Sequence, residues 1–198
     1  MTYGGVDHGR RRFLTATTTV VGAVGAAYTA VPFVASWTPS ARAKAIGAPV
    51  EVDISKLEPG QLMRVKWRGK PVFILRRTKA ALTALGEVEG QLRNPGSDDE
   101  QQPGYARNQH RSIAPEVLVL VGLCTHLGCS PTMVRASDAH SLGDDWQGGF
   151  FCPCHGSKFD FAGRVYKSVP APTNLEVPPH HFVGDAGLII GEDPKGAA

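Results

Sequence analysis

The chain has 198 residues, with 21 Lys and Arg against 18 Asp and Glu and a formal charge of +3, so it holds one ordinary domain plus an appendage and carries no basic footprint for nucleic acid. Its 23 Gly and 15 Pro lie well above average usage without a repeat period, which excludes a solenoid and favours short strands and many turns over long helices. Four Cys in a chain of this length do not make a disulfide scaffold, so they have to be judged by spacing.

Residues 1–12 end in Gly9-Arg10-Arg11-Arg12, followed by Phe13-Leu14. This resembles a twin-arginine export signal, while the same residues also read as the cationic flank of an anchor; both readings put the N-terminus in the cytoplasm. No charge occurs from Phe13 to Ala41, enough for one membrane crossing. The predicted anchor is residues 13–36, with Pro32 set to bend or end the helix. Gly22, Ala26 and Ala30 recur at a spacing that lets membrane helices pack closely, or are simply the undemanding small residues of an export signal. Ala41, Ala43 and Ala45 are small enough for a signal peptidase. Residues 37–49, rich in Ala, Pro and Gly, read as a flexible neck.

From Val50 onward short apolar runs alternate with turn residues, predicting an all-β, sandwich-like or barrel-like domain over residues 50–198. Predicted strands are Val50 to Ile54, Leu62 to Trp67, Val72 to Arg76, Val117 to Leu123, Phe150 to Phe151, Phe159 to Phe161, Arg164 to Val169, Leu175 to Val177 and Leu188 to Ile190. One short helix is predicted over Thr78 to Gly86, with Thr78 as its cap. Asn94 to Ser112 is polar and reads as a surface excursion.

Two boxes carry the chemistry: Cys124-Thr125-His126-Leu127-Gly128-Cys129 and Cys152-Pro153-Cys154-His155-Gly156-Ser157. Each supplies a Cys and a His from one tight loop behind an apolar run, the pattern of a metal site with two soft and two borderline ligands. Two Cys and two His also suit structural zinc, and spacing does not separate the two. If Cys124 and Cys152 are ligands, Cys129 and Cys154 remain, one per loop, and an exported domain permits a disulfide. The other histidines, His8, His110, His140, His180 and His181, lack such partners and read as surface residues.

CTHLGC and CPCHGS resemble the two cluster-binding boxes of the Rieske iron-sulfur subunits of cytochrome bc complexes. The anchor, the Ala-rich neck and Val169-Pro170-Ala171-Pro172-Thr173-Asn174-Leu175, similar to the family's proline loop, extend the resemblance over most of the chain. It implies an antiparallel β-sandwich with a small cluster-binding part at about 122–173. It further implies one 2Fe-2S cluster, with Cys124 and Cys152 on the buried iron, His126 and His155 on the outer iron, and a Cys129–Cys154 disulfide. Ser157 is then a donor to a cluster sulfur, while Phe159 departs from the commonest high-potential pattern, which has Tyr there. His155 is expected to take the quinol hydrogen bond, with His126 as the second exposed ligand and Leu127, Pro170, Ala171 and Pro172 as an apolar rim docking on cytochrome b. The implied activity is that of a quinol-cytochrome c reductase subunit: an electron from ubiquinol, coupled to proton release, passes to the c-type cytochrome subunit and contributes to the proton-motive force. The setting implied is a dimeric complex in a bacterial inner membrane, the anchor uncleaved and the head periplasmic. A small Rieske subunit of a molybdenum oxidase such as arsenite oxidase is the alternative, against which the long anchor and proline loop argue.

Overall fold

The computed structural model describes residues 5–138, 142–143 and 145–194. His140 and the first four residues of the N-terminal segment lie outside these. The chain divides at Ala45 into two units.

The N-terminal unit contains α1 (His8–Ala35), 28 residues long, which at 1.5 Å per residue spans about 42 Å and exceeds the roughly 30 Å of bilayer hydrocarbon. It begins five residues ahead of the predicted anchor because Asp7 caps it, accepting from Gly9 and Arg10 N–H. Thr15, Thr18, Thr19 and Thr29 turn their hydroxyls onto the carbonyls four residues back, so these polar groups are satisfied within the helix. Pro32 is accommodated, and the helix ends three residues later, at Ala35. Within the predicted neck, Ala41–Gly47 forms a short helix, α2. Pro39 and Pro49 lie outside it, while Ala, Arg and Lys within it are strong helix formers and Ser40 Oγ accepts from Ala43 N–H.

Among the described residues the head forms three antiparallel three-stranded sheets. The first orders β1 (Val50–Asp53), β9 (Gly187–Ile190) and β8 (His180–Val183). The second runs β2 (Leu62–Trp67), β3 (Lys70–Arg76), β4 (Val117–Val121), and the third β5 (Thr132–Val134), β6 (Gly149–Cys152), β7 (Ser157–Phe159). β4 is apolar throughout and β3 from Val72 to Leu75, because both of their faces are covered there. Val72, Ile74, Val117 and Val119 face a core shared with Val52, Leu188 and Ile190 of the first sheet. Their neighbours Phe73, Leu75, Leu118 and Leu120 face a second core with Phe150, Phe159 and Leu175, and that core also contains Cys124 and Cys152. The period of two in a strand thus assigns alternate residues to two cores. α3 (Lys79–Glu87) follows β3, capped by Thr78 Oγ1 as predicted.

Several predicted elements require correction. Arg164 to Val169 forms only the isolated bridges Phe159↔Val165 and Leu92↔Tyr166, and Leu175 to Val177 forms no strand. In the first, Arg164, Val165 and Tyr166 are buried in a row before exposed Lys167 and Ser168, with Gly163 and Pro170 at its ends; in the second, Leu175 N–H donates to Gly163 O and Val177 N–H to Gln101 O (2.8 Å each), partners that lie in no strand. β7 stops at Phe159 because the Asp160 carboxylate accepts from Ala162 and Arg164 N–H and turns the chain. β5 and β8 were not predicted, their residues Thr132-Met133-Val134 and His180-His181-Phe182-Val183 being too short or too polar a run. The 94–112 stretch is not confined to the surface: Ser97, Ala106, Arg111 and Ser112 are buried, and Arg111 donates to Ala162 O (3.2 Å) and Gln102 Oε1 (2.9 Å).

His180, expected on the surface, is fully buried. Its Nδ1–H donates to Pro178 O (2.9 Å), leaving Nε2 without a partner among the described residues. Burial holds its imidazole below the usual histidine range, against the opposing pull of the Pro178 carbonyl and Asp193. The unfolded chain therefore takes up this proton first as pH falls below about 6.5, and stability is lost between there and the lower folded value. Urea titrations of the full chain in detergent at about pH 7.5 and about pH 5 are expected to show a smaller loss in His180→Phe than in the wild type, the difference approaching at most about 1.4 kcal/mol per pH unit.

Candidate metal centre

Both boxes close by the same local geometry. Gly128 N–H donates to Cys124 O (2.9 Å) and Gly156 N–H to Cys152 O (3.0 Å). Each glycine lies in the left-handed region, φ 82° and 79°, where a side chain is disfavoured. The residue after each glycine then pairs back with the leading Cys. Cys124 N–H donates to Cys129 O (2.7 Å), and Ser157 registers with Cys152 across the β6–β7 hairpin. The first box extends from β4 and the second joins β6 to β7, so each leading Cys is fixed by a buried strand.

Cys124 and Cys152 are free thiols, 3% and 2% exposed, at the edge of the second core. They lie against one another. Burial pushes the Cys152 thiol up, partly offset by the Cys154 and His155 N–H groups turned toward it and reinforced by Cys124. A thiol raised in this way favours its neutral form unless a cation compensates it. His126 and His155 stand outside the pair, half-buried and exposed, with ring centroids 4.8 Å apart and planes at 85°. Two buried soft donors and two accessible imidazoles at one point fit an iron-sulfur cluster of the mixed-ligand type.

Cys129 and Cys154 are joined as a disulfide, Cα atoms 6.6 Å apart, locking one loop to the other. The sulfurs of Cys129, Cys152 and Cys154 lie within 4.8 Å of one another, but the bridged pair carries no thiolate, leaving only Cys152 of these three as a ligand.

The third side of the centre is the proline loop, held by a residue of each box. Thr125 Oγ1 donates to Thr173 O (2.7 Å), and Ala171 N–H donates to Ser157 Oγ (3.0 Å). Ser157 is fully buried, and this bond uses a lone pair of its oxygen, leaving the hydroxyl proton for the space beside the thiols. Asn174 Oδ1 accepts from Val165 N–H (2.9 Å) and anchors the loop's far end. Leu127 is 72% exposed, and Pro170 and Pro172 are exposed. Ala171, expected in the rim, is instead buried and contributes its backbone N–H. The Phe159 ring lies in the same core as the two thiols. Thr125 and Asn174 were not singled out from sequence. Each carried a signal: Thr125 stands between two proposed ligands, and Asn174 lies in the run that resembles the proline loop.

Residues 1–40 match the family described as "Ubiquitinol-cytochrome C reductase Fe-S subunit TAT signal", and residues 98–179 match the "Rieske [2Fe-2S] domain". The chain is 59% identical over 198 residues to the ubiquinol-cytochrome c reductase iron-sulfur subunit of Allochromatium vinosum, covering 100% of this chain and 95% of that one. It is 45% identical over 184 residues to the subunit of the same name from Blastochloris viridis, covering 92% of each. For Rhodospirillum rubrum the identity is 44% over 188 residues, covering 94% of each.

The disulfide closes a loop with sequence separation 25, for which the chain-entropy account gives about 3–4 kcal/mol. A Cys129→Ser/Cys154→Ser double variant is expected to lose stability of that order in denaturant titrations, with loss of bound iron on dialysis faster than in the wild type.

Proposed function

The chain belongs to the family of ubiquinol-cytochrome c reductase iron-sulfur subunits, Rieske electron carriers of the respiratory chain, and from that premise we propose which of its residues hold the 2Fe-2S cluster and meet the quinol. Cys124 and Cys152 take the inner iron, and His126 and His155 the outer one. The observation that carries this assignment is the burial split: thiols 3% and 2% exposed, imidazoles accessible and edge-on at 4.8 Å. Thiolates are best kept from water and acid, whereas a ligand that exchanges a proton with substrate must reach the surface.

When bound, the cluster supplies a one-electron acceptor whose two neutral imidazole ligands set a potential of roughly −150 to +300 mV. His155, the more exposed of the two imidazoles, accepts the quinol hydrogen bond at its outward ring nitrogen and holds the proton that accompanies the electron. His126 completes the outer face. Leu127, Pro170 and Pro172 surround the imidazoles with apolar surface, excluding water from the contact and docking the head on cytochrome b. Ser157 orients its proton toward the buried sulfurs.

Ubiquinol is the donor and the c-type cytochrome subunit the acceptor, within a dimeric complex of a bacterial inner membrane. Residues 1–12 lie in the cytoplasm, 13–36 cross the membrane uncleaved, 37–49 form the neck, and 50–198 form the periplasmic head. α2 makes part of that neck a short helical rod, so head movement hinges at Thr38–Ser40 and Ala48–Pro49, outside its ends.

Reduced membranes are expected to show the Rieske EPR signal, absent in His155→Ala. A hydrogen bond of about 1.4 kcal/mol moves a one-electron couple by about 59 mV. Redox titration should therefore find Ser157→Ala lower than the wild type and Phe159→Tyr, which restores a hydroxyl among the thiols, higher, each by about that amount. Unshifted potentials in both variants would contradict the proposed tuning.

A further inference from the structure

The proline loop lacks the means to hold itself. Between residues 169 and 172, Pro170 and Pro172 have no N–H, and the Ala171 N–H is committed to Ser157 Oγ. Ser168, which leads into the loop, is a non-glycine residue at φ 58°, a conformation that has to be imposed by its surroundings. The loop's carbonyls consequently need donors from elsewhere in the fold.

Arg93 supplies them. Its guanidinium donates through one amino group to Pro172 O (3.0 Å) and through the other to Val169 O (3.3 Å), spanning the loop from entry to exit. The arginine is itself fixed from behind. Its backbone N–H donates to Val165 O (2.9 Å), and the adjacent Leu92 is buried and bridged to Tyr166. Lys167 N–H donates to Gln91 O (2.8 Å), and its ammonium donates to Gly90 O (2.8 Å). Residues 90–93 therefore run beside 165–167, and the planar fork emerges where the loop begins. A rigid fork spans two carbonyls in a way that a lysine's single nitrogen does not.

We propose that Arg93 is a positioning residue for the cluster site: by closing the proline loop between Val169 O and Pro172 O it sets Ala171 N–H, and through that bond the Ser157 hydroxyl, beside the buried thiols. The second half of this chain rests on the role given above to Ser157. Arg93 touches neither ligand nor thiol, and its influence passes through two backbone carbonyls and one amide.

The test uses the full chain purified with its partner subunits. In Arg93→Ala, hydrogen-deuterium exchange of the peptide spanning residues 169–175 is expected to quicken about fivefold, the order expected for losing about one net hydrogen bond, while peptides from β3 and β4 stay unchanged. The midpoint potential is expected to fall in the direction of Ser157→Ala, and Arg93→Ala is expected to add nothing further in the Ser157→Ala background. Arg93→Lys should recover part of both effects. Unchanged exchange in Arg93→Ala would overturn the clamp. An equal potential shift with and without Ser157 would overturn the relay. Fast exchange in Arg93→Ala with a silent Ser157→Ala supports the clamp and removes the donor role of Ser157, so the two failures are separable.

Discussion

Two short loops have to bring a buried thiol each to one point while leaving an imidazole each at the surface, and this constraint organises the head. The same device solves it twice: a left-handed glycine four residues after the leading Cys closes the loop onto that residue's own carbonyl. Closure alone would leave the two loops independent. The Cys129–Cys154 bond joins them across the sequence, and β4 and the β6–β7 hairpin root each one in the same apolar core. That core exists because β3 and β4 are covered on both faces, so their alternate residues can serve two sides at once. The placement of the two thiols thus depends on a sheet whose own residues include neither of them.

The interior below the boxes is unusually charged. Arg77, Arg111, Arg164 and Asp160 are all buried. Arg164 pairs with Asp160 at 2.7 Å, whereas Arg77 and Arg111 rely mainly on carbonyl oxygens, among them Phe161 O and Ala162 O. Burial draws both of these guanidinium groups down to about 10, still well above neutrality, so both remain charged. A buried ion pair contributes little net stability, and the carbonyl contacts point to a different role. They hold the irregular turn at 160–164, which no sheet ladder satisfies, and that turn sets the exit from β7 toward the proline loop. Positive charge in a dry core also favours any neighbouring group that gains an electron.

Elements with strong local rules were legible in the sequence. Leu62–Trp67 was found with its observed ends, and β3 and β4 were located because continuous burial leaves a continuous apolar run. Cys124, His126, Cys152 and His155 announced themselves by type and spacing, and Thr78 by its place ahead of Ala and Leu. Failures occurred where tertiary contacts override local pattern. Arg111 and Ser97 lie in a polar stretch that reads as surface, yet they are buried because their partners are carbonyls brought from residues 162–163 and an asparagine at 174. His180 was misplaced for the same reason: Tyr105, 75 residues away, accepts from His180 N–H at its hydroxyl (2.9 Å) and sets its ring edge-on to the imidazole. The short helix within the neck was not read because composition was counted without position: the prolines flank its helix formers and do not interrupt them.

Arg93 shows the limit most sharply. An arginine on a polar segment, more than 70 residues from the carbonyls it binds, has no signature distinguishing it from any solvated cation. Its importance arises from a deficit elsewhere, in a loop whose prolines remove the donors that would otherwise fold it on itself. A loop of this composition presents apolar surface with few free N–H groups to hold water. The same property makes it unable to fix its own shape. Rigidity must then be imported, from Thr125 and Ser157 on the cluster side and from Arg93 on the outer side. The two thiols and two imidazoles supply the donors of the site, but the loop beside them is held in shape by Thr125, Ser157 and Arg93, through hydrogen bonds to its backbone.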